Sequence, residues 1–211
     1  MRASLGIIVM LGVLLSPALG AAQIEGKLKL GLDVSALTFT SYDIGGGGSA
    51  ATEITAGPFP PANFVSVLAG VPASGLDVAY GVSDAIVVGT LVRLGMASDD
   101  NGGGSSTTAF AVGLQPHVDY VLLPQHSFRP FVGALVGVNL MGGDERKPFN
   151  TGDNGLTFLS VGVHVGGYGF VSDTFTVSPR VAFTYNQGVS DTVKDWKLFA
   201  IQLQVEIAGW M

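Results

Sequence analysis

Two consecutive segments within residues 110–140 alternate strictly between apolar and mixed residues, and this alternation constrains the fold more than any other feature. Period two predicts β-strands, and the short break at residues 123–127 predicts an antiparallel hairpin. One face stays apolar throughout, whereas the other is rich in glycine and carries His117, Asp119 and Arg129. A solvated face is rarely built this way. The pattern therefore predicts an inverted sheet, with its apolar face toward lipid and its mixed face toward a narrow interior.

The same alternation recurs along the chain and predicts eight strands, at residues 27–40, 75–82, 86–96, 110–122, 128–140, 159–168, 175–185 and 199–208. In the first strand, even-numbered residues from Leu28 to Thr40 are expected on the apolar face. Odd-numbered residues from Lys29 to Phe39, which include Leu37, are expected on the interior face. The segment from Phe64 to Val71 also alternates. It is either an outward extension of the second strand or part of the preceding loop, and it would raise the number of strands to ten if it joined a further pairing.

The connections between these strands alternate between long and short. Short turns are predicted at residues 83–84, 123–127 and 172–174, and long polar loops at residues 42–63, 98–106, 142–155 and 186–195. Outer-membrane barrels have short periplasmic turns and longer outer loops. The fold class predicted is therefore all-β, a closed antiparallel up-and-down transmembrane β-barrel of about eight strands.

Charged residues within the predicted strands share the interior face. A lysine or arginine facing lipid at the bilayer midplane costs about 2–4 kcal/mol, so this segregation supports the inverted sheet. The turn positions predict that Glu206 lies near Lys29, that His164 lies across from Arg180, and that Asp119 lies diagonal to Arg129. The expected interior network comprises Lys29, Asp33, Asp77, Arg93, Asp119, Arg129, His164, Arg180 and Glu206. We interpret it as structural filling with charge neutralisation; the alternative is a proton or ion path.

Aromatic residues on the apolar face fall into two bands, as expected at the two interfaces of a membrane. The band near the short turns comprises Tyr80, Tyr120, Phe128 and Phe175, and the band near the long loops comprises Phe110, Phe183, Tyr185 and Phe199.

The N-terminus predicts export. Arg2 precedes an apolar run at residues 7–15, Pro17 follows, and small residues near Ala22 suit cleavage, so residues 1–22 are interpreted as a cleaved signal peptide and residues 23–211 as the barrel domain. The sequence has no cysteine, which excludes a disulfide framework. A net charge of −6 without a basic run gives no footprint for nucleic-acid binding. The expected location is the outer membrane of a Gram-negative cell.

No catalytic, cofactor or metal site is expected. The neighbours His126 and Ser127 lack an orienting third group and fall in a short turn, away from the outer rim where a lipid-modifying enzyme would act. The acidic stretches at residues 99–101 and 153–155 lack the spacing of a dedicated calcium loop.

Three stretches resemble small outer-membrane β-barrels of the OmpA/OmpX type: Tyr80-Gly81-Val82-Ser83-Asp84, Arg129-Pro130-Phe131-Val132-Gly133 and Ile201-Gln202-Leu203-Gln204-Val205-Glu206-Ile207. The resemblance spans the mature chain and implies insertion by the barrel-assembly machinery, which reads a C-terminal signal. The expected signal comprises Ile201, Leu203, Val205, Ile207, Trp210 and Met211. Family members usually end in an aromatic residue, whereas this chain ends in Met211 beside Trp210. The peptidoglycan-binding domain that follows the barrel of OmpA is not expected here.

These observations favour a monomeric protein with a structural or interaction role, which presents glycine-rich loops for envelope integrity, adhesion or ligand binding. The expected partners are the outer-membrane bilayer and the assembly machinery. Two alternatives stay open: a narrow porin-like channel or carrier of small apolar molecules, and a lipid-modifying enzyme of the outer membrane.

Overall fold

The computed structural model describes residues 23–43, 51–56, 74–100, 106–143, 156–189 and 194–211. The predicted signal peptide, the segment from Phe64 to Val71 and the acidic stretch at residues 153–155 lie outside this set. In the part of the chain that the structure describes, no helix is both long enough and apolar enough to cross a membrane.

The described residues form one antiparallel sheet. Its strands are β1 (Leu28–Asp43), β2 (Ala51–Ala56), β3 (Ser74–Ser83), β4 (Ile86–Asp100), β5 (Ser106–Val121), β6 (Phe128–Gly143), β7 (Leu156–Ser172), β8 (Phe175–Gly188) and β9 (Lys197–Trp210). Successive strands pair from β3 to β9, and β9 pairs with β1, so the sheet closes. β2 and β3 lie along the same edge of β1, one above the other. The wall therefore has eight strand positions, and the predicted closed antiparallel barrel is confirmed.

Several strands run further than the sequence predicted. β4 continues to Asp100, β6 to Gly143 and β8 to Gly188, so the predicted loops begin later than expected. The loop predicted at residues 42–63 was wrong in part, because it contains β2. The physical reason is pairing: β1 extends beyond the end of β3, and β2 satisfies the backbone groups of β1 there, from Leu37 to Tyr42.

A bulge in β1 corrects the predicted faces of that strand. The register with β9 shifts between Ser35 and Leu37, so one extra residue, Ala36, is inserted. Beyond it the faces exchange: Leu37 is exposed on the outer surface, while Thr38 and Thr40 are buried inside. The prediction that Thr38 and Thr40 face lipid and that Leu37 and Phe39 face inward was therefore wrong.

The outer surface is an apolar belt. Large apolar side chains are exposed on every long strand, among them Leu32, Leu94, Leu114, Val136 and Val163. Of the predicted aromatic bands, Tyr80, Tyr120, Phe175, Phe183, Tyr185 and Phe199 are exposed. Phe128 is partly exposed and its ring covers the bare backbone of Gly167, while the side chain of Phe110 lies outside the described part. With the apolar belt outside, the interior holds the charged and polar residues of the strands together with buried apolar side chains such as Leu91, Phe131 and Leu135.

Candidate functional site in the barrel interior

The structure places all nine side chains of the predicted network inside the barrel, none of them more than 5% exposed. They come from eight strands whose inward positions alternate with the outer belt, so the closed sheet directs them toward a common axis. Burial of this many charges is tolerated only where opposite charges meet.

Lys29 of β1 is the first hub of this interior. Its ammonium donates to Asp77 Oδ2 of β3 at 3.0 Å and to Glu206 Oε1 of β9 at 3.0 Å. The same group lies 5.1 Å from the ring centre of Tyr168 and 5.9 Å from that of Trp210, which adds cation–π attraction. The predicted proximity of Lys29 and Glu206 is what the structure shows.

Asp33 of β1 is the second hub. Its Oδ2 accepts from Arg93 Nη2 of β4 at 3.2 Å and lies 2.8 Å from Arg180 Nη2 of β8. Each guanidinium is also oriented by an amide, because Arg93 Nε donates to Gln115 Oε1 and Arg180 Nε donates to Gln204 Oε1, both at 2.9 Å. These two arginines therefore link opposite sides of the wall through one carboxylate.

Asp119 of β5 is the centre of a third group. Its Oδ1 lies 2.6 Å from His164 Nε2 of β7, and its Oδ2 accepts the hydroxyl hydrogen of Tyr168. His117 Nε2 lies 3.9 Å from the same carboxylate and 3.7 Å from Asp77 Oδ2, which joins this group to the Lys29 hub.

Two of the predicted pairs are corrected by these contacts. His164 is opposite Ala182 in the β7–β8 register and contacts Asp119, whereas Arg180 is opposite Gly166 and contacts Asp33. Asp119 is opposite Gly133 rather than diagonal to Arg129. Arg129 instead lies at the short-turn end, where its Nε donates to the carbonyl oxygen of His126 at 3.0 Å. Turn positions predicted the neighbouring strands, but long side chains reach past the nearest partner.

Interior glycines make room for the charged groups. A Cβ on Gly133 would overlap His164 Nε2 and would come within 2.5 Å of Asp119 Oδ1. A Cβ on Gly89 would lie 2.7 Å from His117 Cε1, and one on Gly31 would lie 3.0 Å from the Glu206 side chain. Each glycine therefore accepts a side chain from the adjacent strand, which explains why the interior face alternates between glycine and large polar residues.

Beyond the charges, toward the long-loop end, the interior holds uncharged polar groups beside buried apolar side chains such as Phe158 and Leu198. Asn139 Nδ2 donates to Ser160 Oγ at 2.6 Å, and Ser160 Oγ in turn donates to Asn186 Oδ1. Among the charged and imidazole groups lies a cavity of about 10 Å³, about the room that one water molecule needs, lined in part by Arg93, His117, His164 and Arg180.

At the short-turn end the interior is closed by apolar side chains. The cluster, here called the apolar plug, comprises Ile24, Ala79, Val87, Val121, Phe131, Tyr168, Phe170 and Trp210. Trp210, expected as part of the C-terminal signal, turns inward and donates from its indole nitrogen to Thr176 Oγ1 at 3.2 Å. Leu203 and Ile207 of that signal are exposed outside, as is Met211.

Four further side chains join the network beyond the nine that were predicted: Gln115, His117, Tyr168 and Gln204. The signal was present, because all four lie on the inward face of strands that were already identified. Strand alternation could not indicate that Ile24 is buried, since this residue precedes the first strand.

The described part of the chain shows no group of three or more histidine, aspartate or glutamate side chains placed to hold a metal ion. Of the acidic stretch at residues 99–101, the side chains lie outside the described part. His126 is exposed in the turn before β6. What the interior geometry provides chemically is mutual neutralisation of buried charges across the barrel.

Comparison with known proteins supports the fold. No protein-family model matches the sequence, and no curated protein matches it. The barrel is similar to the crystal structure of Neisserial surface protein A, with a TM-score of 0.50 and 13% identity over 88% of this chain and 99% of that one. The solid-state NMR structure of outer membrane protein AlkL in lipid bilayers aligns with a TM-score of 0.47 and 16% identity over 92% and 94% of the two chains. The attachment invasion locus protein Ail of Yersinia pestis aligns with a TM-score of 0.43 and 10% identity over 88% and 98%. At this level of identity the likeness to Neisserial surface protein A shows the fold, a small closed barrel of the outer-membrane kind.

Proposed function

We propose that this chain is an integral outer-membrane barrel of the OmpA/OmpX type that acts as a rigid membrane anchor and presents its longer connections outside the cell. The observation that carries the proposal is the interior. Arg180 of β8 and Arg93 of β4 meet at Asp33 of β1, so their side chains span the lumen instead of lining a channel. A filled barrel suits a structural or interaction role better than conduction.

The outer surface supports the location. The exposed apolar belt and its two aromatic bands match the hydrocarbon region and the interfaces of a bilayer. The short turns, such as Asp84–Ala85 and Asp173–Thr174, would face the periplasm, and the longer connections would face outward. In this proposal the chain is a monomer, and its C-terminal strand is the segment read by the assembly machinery. The proposal assigns no catalytic role.

Electrical recording tests the proposal. The purified chain, refolded from urea into a planar bilayer, is expected to give no discrete ion current above the lipid background. Folding is checked in the same preparation by heat-modifiable mobility on gels. Steady single-channel currents from folded protein would contradict the anchor and favour the narrow channel.

Cell fractionation tests the location separately. The expressed chain is expected in the outer-membrane fraction and to resist extraction by alkaline carbonate. Recovery as a soluble periplasmic protein would overturn the inverted barrel itself.

A further inference from the structure

The segment before β1 folds back beneath the barrel at the short-turn end. Residues 23–27, here called the N-terminal strap, place one apolar side chain inside: Ile24 is fully buried, while Gln23 and Glu25 are exposed. Ile24 belongs to the apolar plug with Phe170 and Trp210. The strap therefore inserts a single anchor into the mouth of the barrel.

The strap is held by a specific set of hydrogen bonds. Asp84, in the turn between β3 and β4, accepts at Oδ1 from the backbone N–H of Ile24 at 3.0 Å and of Glu25 at 3.3 Å. Gly26 N donates to Gly81 O at 2.8 Å, and Gly81 N donates to Lys27 O at 3.0 Å. The Asp84 carboxylate therefore accepts the backbone N–H groups of the buried Ile24 and of the residue that follows it.

Two glycines make this docking possible. Gly26 has a φ of 76°, a left-handed conformation that turns the chain from the strap into β1 and that glycine adopts readily. Gly81 lies so close beneath the strap that a Cβ there would overlap Ile24 O. The short-turn end is thus shaped to receive the strap.

The position of the plug gives the strap a consequence for the interior. Trp210 and Tyr168, which belong to the plug, also contact the ammonium of Lys29 through their ring faces. The plug therefore lies between the strap and the Lys29 hub. Because the strap is outside the strand ladders of the barrel, its release would leave the wall paired.

We propose that the N-terminal strap is a gate at the short-turn end of the barrel. When it is closed, Asp84 holds it by hydrogen bonds and the strap keeps water from the charged interior. It opens by turning at Gly26. This gate goes beyond the proposed role as a membrane anchor, since a barrel can serve as a membrane anchor with its mouth open or closed.

Thiol labelling tests whether Asp84 holds the strap in place. The chain has no cysteine, so Ile24→Cys supplies a single reactive group at the anchor position. In folded protein in micelles, a membrane-impermeant maleimide is expected to react slowly with Ile24→Cys and at least about tenfold faster with Ile24→Cys/Asp84→Ala, since the loss of hydrogen bonds to a charged acceptor releases the strap. The matched control is Ile24→Cys/Ser83→Ala. Ser83 Oγ accepts a bond within the same turn, from Ala85 N at 3.2 Å, so the slow rate is expected to persist. Equal labelling rates with and without Asp84, or fast labelling of Ile24→Cys alone, would show that the strap is not a gate held by Asp84.

Tryptophan fluorescence gives an independent readout that keeps Asp84. Trp196→Phe leaves Trp210 as the sole tryptophan, since the chain has two. In this background Ile24→Ser is expected to make Trp210 accessible to iodide quenching, whereas Ile24→Val is expected to keep it shielded. Heat-modifiable mobility confirms that each variant is folded. If Trp210 stays shielded in folded Ile24→Ser, the strap is not a gate. That result would not affect the proposed role as a membrane anchor, which depends on the outer belt and on conductance.

Discussion

Lys29 occupies the most demanding position at the scale of single residues, because its ammonium is fully buried between two carboxylates. Attraction between buried charges offsets their desolvation only while the partners stay in place. Removal of the cation would leave the charges of Asp77 and Glu206 offset mainly by the guanidinium of Arg180, which lies 3.8 Å from each carboxylate. The stability of the barrel is therefore expected to depend on Lys29 far more than on a lysine at the surface.

We expect Lys29→Met to lower the free energy of unfolding by about 3–5 kcal/mol, the usual cost of breaking a buried ion pair on one side. Urea titration of the barrel in lipid vesicles measures the effect. The control is Lys197→Met at the exposed start of β9, for which a change within about 0.5 kcal/mol is expected. Similar losses in both variants would show that the Lys29 hub has no special weight.

Gly133 tests the packing around Asp119. We expect Gly133→Ala to cost about 1–3 kcal/mol, the usual penalty for overpacking, because the added methyl group would separate Asp119 from His164. The matched control is Gly209→Ala in β9, where the nearest atom to a new Cβ, Thr174 O, is 3.9 Å away. Urea titration measures the free energy of unfolding of the two variants. An equal, small loss in both would show that Gly133 is not needed to make room for His164 and Asp119.

The sequence predicted which face each of these residues occupies, because alternation determines the face wherever a strand has no bulge. It did not predict the partners of Asp119 or Arg180. An arginine or histidine side chain reaches beyond the residue opposite it, and its direction depends on which neighbours are glycine. Gly133 and Gly166 open paths that become visible only once strands are placed side by side.

At the scale of elements, β1 shows how one inserted residue reconciles a strand with both of its environments. Without the bulge at Ala36, Leu37 and Phe39 would face the interior and Thr38 and Thr40 would face the outside. The bulge reverses this, so that the threonines are buried in the interior and Leu37 joins the outer belt. A rule of strict alternation cannot foresee such an insertion, although the apolar character of Leu37 and Phe39 was a signal that the faces should exchange.

Deletion of Ala36 tests the bulge. The shortened strand must either expose Thr38 and Thr40 outside or slip its register against β9, and a slip of one residue moves every side chain to the other face. We expect the deletion variant to lose the heat-modifiable band of the folded barrel. Ala36→Gly keeps the residue count and is expected to retain that band. A deletion variant that folds like the parent would show that the bulge is dispensable.

At the scale of the whole molecule, the interior is layered along the barrel axis. The apolar plug closes the short-turn end, the charged groups follow, and the uncharged layer of Asn139, Ser160 and Asn186 lies toward the long-loop end. The charges are thus separated from water on the side of the short turns by the plug. The outer belt prevents access through the wall, since lipid covers it in the proposed location.

This arrangement predicts that dissolved salt does not screen the interior ion pairs. Between about 0.1 M and about 1 M salt the Debye length falls from about 10 Å to about 3 Å, which weakens exposed pairs but acts little on buried ones. We therefore expect the loss of unfolding free energy in Arg180→Met, relative to the parent chain, to stay constant across this range of potassium chloride. Urea titrations in vesicles at both concentrations measure it. If the loss shrinks markedly at high salt, the charges around Asp33 are in contact with the bulk solution, and the barrel interior is a water-filled path instead of a sealed one.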